Sequence, residues 1–154
     1  YPCLQVPAND LDFYQLKGML TAFIDLTFEW QGQFYILDYK SNHLGNEFSE
    51  YDQMAMERAM AEHRYDVQMV IYTLALHRLL SLRLNDYDYD THIGGGYYLF
   101  LRGLQLASGD SGQFFCKPEK SLILGLDRLI KGEALKDILA PEPLTSAPIQ
   151  GDLL

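Results

Sequence analysis

The stretch GMLTAFIDLTFEWQGQFYILDYK, residues 18 to 40, constrains the fold more than any other part of the chain. Leu20, Ala22, Ile24, Leu26 and Phe28 share one strand phase, and Phe34 to Tyr39 is dense in aromatic and branched residues, so two adjacent β-strands are expected. Gln31-Gly32 supplies the turn. A two-residue loop places Trp30 opposite Gln33, and the ladder then runs through Phe28 with Tyr35 and Leu26 with Leu37 to Asp25 opposite Asp38. A four-residue loop keeps that parity, whereas a three-residue loop with a bulge sends the two aspartates to opposite faces.

Directly paired residues have Cβ atoms roughly 4.5–5.5 Å apart, and like charges placed there repel. Lys40 lies two residues beyond Asp38 and projects from the same face, about 7 Å along the strand. Two acids and one base therefore converge on one patch. The opposite face, with Ile24, Leu26, Phe28, Tyr35, Leu37 and Tyr39, is expected to face the core.

Most Asp-x-Lys triplets are ion pairs on a solvated surface. That reading is weaker for acids set inside apolar strands and facing each other. A divalent cation relieves the repulsion, and oxygen ligands suit Mg²⁺, with Mn²⁺ as a substitute. Such a cation polarises a phosphoryl oxygen and activates water, while Lys40 orients that water or neutralises transition-state charge, which is phosphodiester hydrolysis. A glycosidase also needs two carboxylates but leaves Lys40 unexplained. A Ser-His-Asp hydrolase lacks its GxSxG context, and His43, His63, His77 and His92 read as surface or capping residues.

A chain of 154 residues, 48% of them hydrophobic, has material for one substantial core, so a single domain is expected. No apolar run approaches the roughly 18–20 residues that span a bilayer, and no secretory signal is read. Tyr1 is not an initiator methionine, so a piece of a longer chain is expected. Cys3 and Cys116 are too few for an iron-sulfur cluster or a four-cysteine zinc site; no disulfide is expected, and a reduced, cytoplasmic setting fits. The net charge of −9 argues against a domain that holds nucleic acid by its own field. Either the substrate is not nucleic acid, or other domains deliver it.

Residues 1 to 16, with Pro2 and Pro7, read as an extended lead-in with at most one short turn of helix. After Lys40, SNHLGNEFS is a loop in which Ser41 and Asn42 either face a bound ligand or only shape the turn. Ser49 and Asp52 resemble a capping box for a helix from about Glu50 to His63. The strongest helix starts at Arg64: Val67, Val70, Ile71 and Leu74 recur at helical spacing, and Leu79, Leu80 and Leu82 extend the apolar surface. Gln68 and Tyr72 share one face with Ala75 and Leu79, and in so apolar a row they need partners, either core groups or a ligand. Gly94-Gly95-Gly96 reads as a flexible lead into a strand from Tyr97 to Leu101, with a short strand at Phe114 to Cys116 and a short amphipathic helix from Leu122 to Ile130. The tail from Ala140, with Pro141, Pro143 and Pro148, is expected to be disordered or draped over the surface.

Asp25, the triplet Asp38-Tyr39-Lys40 and then Gln68-x-x-x-Tyr72 on a helix resemble the PD-(D/E)XK nuclease superfamily, the Gln-Tyr helix marking its RecB-like branch. FIDL, LDYKSN, HRYD, YTLALHR, DYDYD and YLFLRG, in this order over roughly residues 17 to 104, strengthen the resemblance. It implies an α/β fold, a restriction-endonuclease-like mixed β-sheet flanked by α-helices, with the nuclease domain over residues 17–139. It implies that Asp25, Asp38 and the Tyr39 carbonyl hold Mg²⁺, that Lys40 is the catalytic lysine, and that Gln68 and Tyr72 brace the site or touch DNA. The wider setting it implies is ATP-driven resection of double-strand DNA breaks. Single- and double-stranded DNA ends, helicase domains, other subunits of a RecBCD-like complex and a recombinase are the partners, and no membrane is involved. Ile24 stands where the superfamily name has proline. The family's upstream metal-ligating histidine has no counterpart, since residues 1 to 24 contain no histidine, so the isolated chain is expected to be a poor nuclease. The rival expectation is a docking module that binds a partner such as a recombinase and performs no chemistry.

Overall fold

The computed structural model of the chain describes residues 22–105 and 109–139. The expectations for the lead-in, for the start of the first strand at residues 18–21 and for the tail lie outside the described residues. A hairpin joins β1 (Leu26–Trp30) to β2 (Gln33–Lys40), with Leu26 opposite Leu37 and Trp30 opposite Gln33, the expected register. Gln31 and Gly32 turn the chain with φ of 51° and 79°, the two left-handed residues that a tight turn of this kind uses. Strand β1 is shorter than expected: Ala22 to Ile24 are not strand, and Asp25 occupies a bend.

From β2 the chain crosses through a 3-10 turn (Phe48–Tyr51), α1 (Gln53–Glu62), α2 (Tyr65–Arg83) and the single turn α3 (Tyr89–His92), then returns as β3 (Ile93–Phe100), parallel to β2. Strand β4 (Gln113–Cys116) adds antiparallel to β3, and α4 (Lys120–Ile130) and α5 (Leu135–Ile138) follow. The result is a four-stranded mixed sheet in the order β1-β2-β3-β4. Helix α1 is capped by Asp52, which accepts from the Ala55 amide at 2.8 Å, while the reciprocal capping box forms one turn earlier between Glu47 and Glu50 rather than between Ser49 and Asp52.

The helical layer settles which face of the hairpin is interior. Ile36, Asp38 and Lys40 are buried, whereas Leu26 and Tyr39 are exposed and Phe28 and Leu37 half-buried. The expectation that the Leu26–Phe28 phase faces the core holds only for Tyr35, which is buried, and Ile24, which packs against the main cluster; the side of β2 that carries Ile36, Asp38 and Lys40 is the interior one. Both phases of β2 are apolar up to Leu37, so alternation alone does not discriminate between them. Helix α2 buries Val70, Leu76 and Leu80 with Ile36, Ile93 and Ile123, and Met69 joins a second cluster with Met56, Met60, Tyr98, Phe100 and Phe114. Beyond that buried face α2 turns to water: Leu79 is exposed, and so is Leu82, which the sequence pattern had extended the apolar surface to include.

Gly94, Gly95 and Gly96 are strand residues, not a flexible lead. The β2–β3 register shifts at this point, leaving Gly94 as the extra residue of a bulge. A Cβ on Gly94 would stand 2.3 Å from the Tyr35 ring, and one on Gly96 the same distance from the Met69 side chain, so neighbours on both faces exclude side chains. His77 departs from its expected surface position. It is buried in α2, its Nδ1 is 2.8 Å from the Tyr87 hydroxyl, and the Tyr87 and Tyr89 rings pack around it. Cys116 is buried and disulfide-bonded, where no disulfide was expected.

Two predictions follow from this packing. Gly112 has φ of 73°, and a Cβ there would stand 2.6 Å from the Gly103 carbonyl carbon, so Gly112→Ala should lower unfolding free energy by more than about 2 kcal/mol in chemical denaturation. Burial holds the His77 imidazole below its ordinary range; the nearby charge of Asp127 opposes that shift, and those of Lys131 and Arg78 reinforce it. The unfolded chain therefore binds this proton more readily, so the stability is fully present above about pH 6.5 and falls as pH drops below it. Thermal melts from pH 7.5 to 5.5 should show a decline that His77→Gln flattens.

Candidate active site

Strand β2 ends beneath the first half of α2, and there the alternation that buries Ile36 also carries Asp38 and Lys40 inward, to 4% and 8% exposure. Lys40 Nζ lies 2.6 Å from Asp38 Oδ2 and donates to Gln68 Oε1 at 2.9 Å. It also sits over the Tyr65 ring, 3.8 Å from its centroid, with the Tyr98 centroid at 5.0 Å. Gln68 Nε2 donates to the Tyr72 hydroxyl at 2.7 Å, and that hydroxyl donates in turn to the Phe23 carbonyl. One turn of α2 thus connects the lysine on β2 to the segment that leads into β1. This is how Gln68 and Tyr72 satisfy the need for partners.

Asp25 reaches the site by a different route from the one the ladder suggested. Because β1 begins only at Leu26, Asp25 does not face Asp38 as a strand partner; its Oδ2 accepts the Tyr39 N–H at 2.9 Å from an exposed bend. The carboxylate takes the place of the backbone acceptor that a longer β1 would have offered. In an antiparallel ladder a residue's N–H and C=O point to the same edge, so the Tyr39 carbonyl faces that edge too, past the end of β1. The Tyr39 ring points away, exposed on the other face. Burial raises the Asp38 carboxyl above its ordinary range; the Lys40 hydrogen bond and charge oppose this, and the Asp25 charge adds to it.

The loop after β2 is tied down at both residues singled out in the sequence. Ser41 offers its carbonyl to Arg102 Nε at 3.2 Å, and Asn42 Oδ1 accepts from the Tyr65 hydroxyl at 3.1 Å. Tyr65 and Tyr98 were missed by the sequence reading. Tyr65 precedes Gln68 by one helical turn and shares its face, a signal that was legible. Tyr98 is brought opposite Asp38 by the parallel β2–β3 register, which has no local signature.

Asp25, Asp38 and the Tyr39 carbonyl, the ligands expected from the sequence, are all oxygen donors, which in kind would suit a hard divalent cation. Among the described residues no group of three or more His, Cys, Asp or Glu side chains stands together, so such an ion would take the rest of its shell from backbone and water. The mixed sheet flanked by helices, with the acids and lysine at the β1–β2 end, defines an α/β nuclease-like fold.

Comparison with known proteins narrows the class. No protein-family model matches the chain. The RecBCD enzyme subunit RecB of Escherichia coli is 49% identical over 127 residues, which is 82% of this chain and 11% of that protein. RecB of Haemophilus influenzae is 44% identical over 122 residues, 79% of the chain and 10% of that protein. RecB of Mycobacterium tuberculosis strain H37Rv is 35% identical over 122 residues, 75% of the chain and 11% of that protein. The chain belongs to the RecB family, and it spans about a tenth of the length of the curated relatives it matches.

Tyr72→Phe tests the brace. Loss of the hydroxyl leaves the Gln68 amide and the Phe23 carbonyl without their partner, at a cost of about 1–3 kcal/mol. Hydrogen exchange should show faster amide exchange across residues 22–26, with α1 unchanged.

Proposed function

We propose that the chain is the nuclease domain of a RecB-type helicase-nuclease, a metal-dependent deoxyribonuclease that hydrolyses phosphodiester bonds. The observation that carries this reading is the Asp25, Asp38 and Lys40 constellation at one end of the sheet, closed by Gln68 and Tyr72 of α2. The RecB relatives support it independently. Asp25, Asp38 and the Tyr39 carbonyl would hold the cation, Mg²⁺ in the first instance. When bound, such a cation polarises a phosphoryl oxygen and lowers the pKa of water.

The rest of the chemistry belongs to the chain's own side chains. Lys40 supplies a fixed positive charge beside the acids, where it stabilises negative charge developing on phosphoryl oxygens or orients the attacking water. Gln68 keeps the ammonium in place, and Tyr72 holds the Phe23 backbone, so the two halves of the donor set keep their spacing. Ser41 and Asn42 line the loop past which a DNA strand would run. In the full-length protein this site would act on single- and double-stranded ends beside ATP-driven helicase domains and the other subunits of a RecBCD-type enzyme, processing double-strand breaks for recombinational repair in the cytoplasm, with a recombinase as a further contact. No helix among the described residues is long and apolar enough to cross a membrane.

The test is hydrolysis of linear DNA by the full-length protein with Mg²⁺. Asp38→Ala and Lys40→Ala should each lower the rate by on the order of a hundredfold or more, and digestion unchanged by Asp38→Ala would overturn the reading. Titration of the 154-residue chain with Mn²⁺ should show weak binding that Asp25→Asn weakens further. With net charge −9 and two side-chain carboxylates as ligands, the chain by itself should digest DNA poorly.

A further inference from the structure

An ammonium has three N–H donors. On Lys40, Asp38 and Gln68 take two of them, and the remaining side of the group rests against the Tyr65 ring, 3.8 Å from its centroid. That ring is itself clamped. It stacks on Tyr98 with centroids 5.8 Å apart and on His63 at 5.3 Å, and its hydroxyl donates to Asn42 Oδ1 at 3.1 Å. The Tyr98 hydroxyl closes the arrangement from below, 2.8 Å from the Tyr65 carbonyl and 3.1 Å from Gln68 Oε1. Tyr65 therefore touches the lysine with its face and the loop after β2 with its hydroxyl, and no other described side chain does both.

Resting on the nuclease reading above, we propose that Tyr65 is a positioning residue for the reaction: its ring seats the Lys40 ammonium between Asp38 and Gln68, and its hydroxyl anchors Asn42 so that the loop does not close over the lysine. The ring is the larger contribution. A lysine stem has four rotatable bonds, and a hydrogen bond to Gln68 with an ion pair to Asp38 leaves the ammonium free to swing toward solvent on its third side. A π face there attracts the charge without taking a proton from it, and it leaves Lys40 able to exchange the Gln68 bond for a phosphoryl oxygen. A carboxylate in the same place would neutralise the charge that the reaction uses. An aliphatic side chain would fill the space without holding the cation.

The experiment separates ring from hydroxyl and position from stability. In the full-length protein, Tyr65→Leu should lower kcat for hydrolysis of linear DNA with Mg²⁺ about tenfold, leaving KM within about twofold. Tyr65→Phe keeps the ring and should retain kcat within about threefold. In the 154-residue chain, the Lys40 ε-methylene protons should be shifted upfield by ring currents in the wild type and in Tyr65→Phe, and should move toward their solvent position in Tyr65→Leu. The proposal is overturned by an unchanged kcat in Tyr65→Leu, by a Tyr65→Phe loss as large as that of Tyr65→Leu, or by a kcat loss that merely follows a fallen thermal midpoint while the lysine signals stay in place. If Asp38→Ala digests DNA as the wild type does, the nuclease reading itself fails, and Tyr65 loses its role with it. Loss of digestion in Asp38→Ala with none in Tyr65→Leu removes the role of Tyr65 alone.

Discussion

The site depends on a buried ion pair. Taking Asp38 and Lys40 out of water at the end of β2 costs desolvation that a single contact does not repay, and removing one partner from such a pair typically costs about 3–5 kcal/mol because the other charge is left stranded. The fold offsets the cost by surrounding the pair. Gln68 accepts from the ammonium, two tyrosine rings face it, and the carboxylate is bonded to the lysine at 2.6 Å. Gln68 and the two rings come from α2 and β3 rather than from β2, so the pair is stable only where those elements are already docked on it.

That requirement explains features elsewhere in the chain. Helix α2 has to lie close to the sheet for Tyr65 and Gln68 to reach Lys40 on β2, and close approach is what removes the side chain from Gly96 beneath Met69. The bulge at Gly94 sits in the same strand, before the stretch where Tyr98 pairs with Asp38. At the far end, α2 is held to α4 by Arg78, whose Nε lies 2.6 Å from Asp127, while Lys131 at the end of α4 pairs with the same carboxylate at 2.6 Å. Burial would raise the Asp127 carboxyl, and hydrogen bonds from Lys131 and Arg78 outweigh it and keep the pKa low. One helix is thus pinned at one end by an ion pair to α4 and poised over the site at the other.

The opposite face of the sheet has a different character. Phe28, Tyr35, Tyr97 and Phe115, one from each strand, form a row of rings with successive centroids 5.2, 6.2 and 4.8 Å apart. Cross-strand aromatic contacts of this kind stabilise strand pairing, and they fix the register that carries Asp38 inward. Edge and site are coupled through this row: a slip of one residue would exchange the ring row for the ion pair.

What the sequence by itself determined is local. Gln31-Gly32 between two apolar runs set the hairpin and its register, and the spacing of Val70, Leu74 and Leu80 set α2. Asp25, Asp38, Lys40, Gln68 and Tyr72 stood out in the sequence by type and order, and the fold links them by hydrogen bonds and an ion pair as two groups, Asp25 with the Tyr39 amide and Asp38, Lys40, Gln68 and Tyr72 in one series. The triple glycine was misread because glycine marks permissive backbone, and only the neighbours Tyr35 and Met69 turn permissiveness into necessity. The inward face of β2 was misassigned for a related reason: with apolar residues on both phases, the choice belongs to the helix that covers one of them. Asp25 reached the site from a bend, since the end of β1 depends on which acceptor satisfies the Tyr39 amide. The tertiary structure decided these points, and it alone set Tyr98 beside Lys40, because a parallel pairing between strands some sixty residues apart (Asp38 with Tyr98) leaves no periodic trace in either strand.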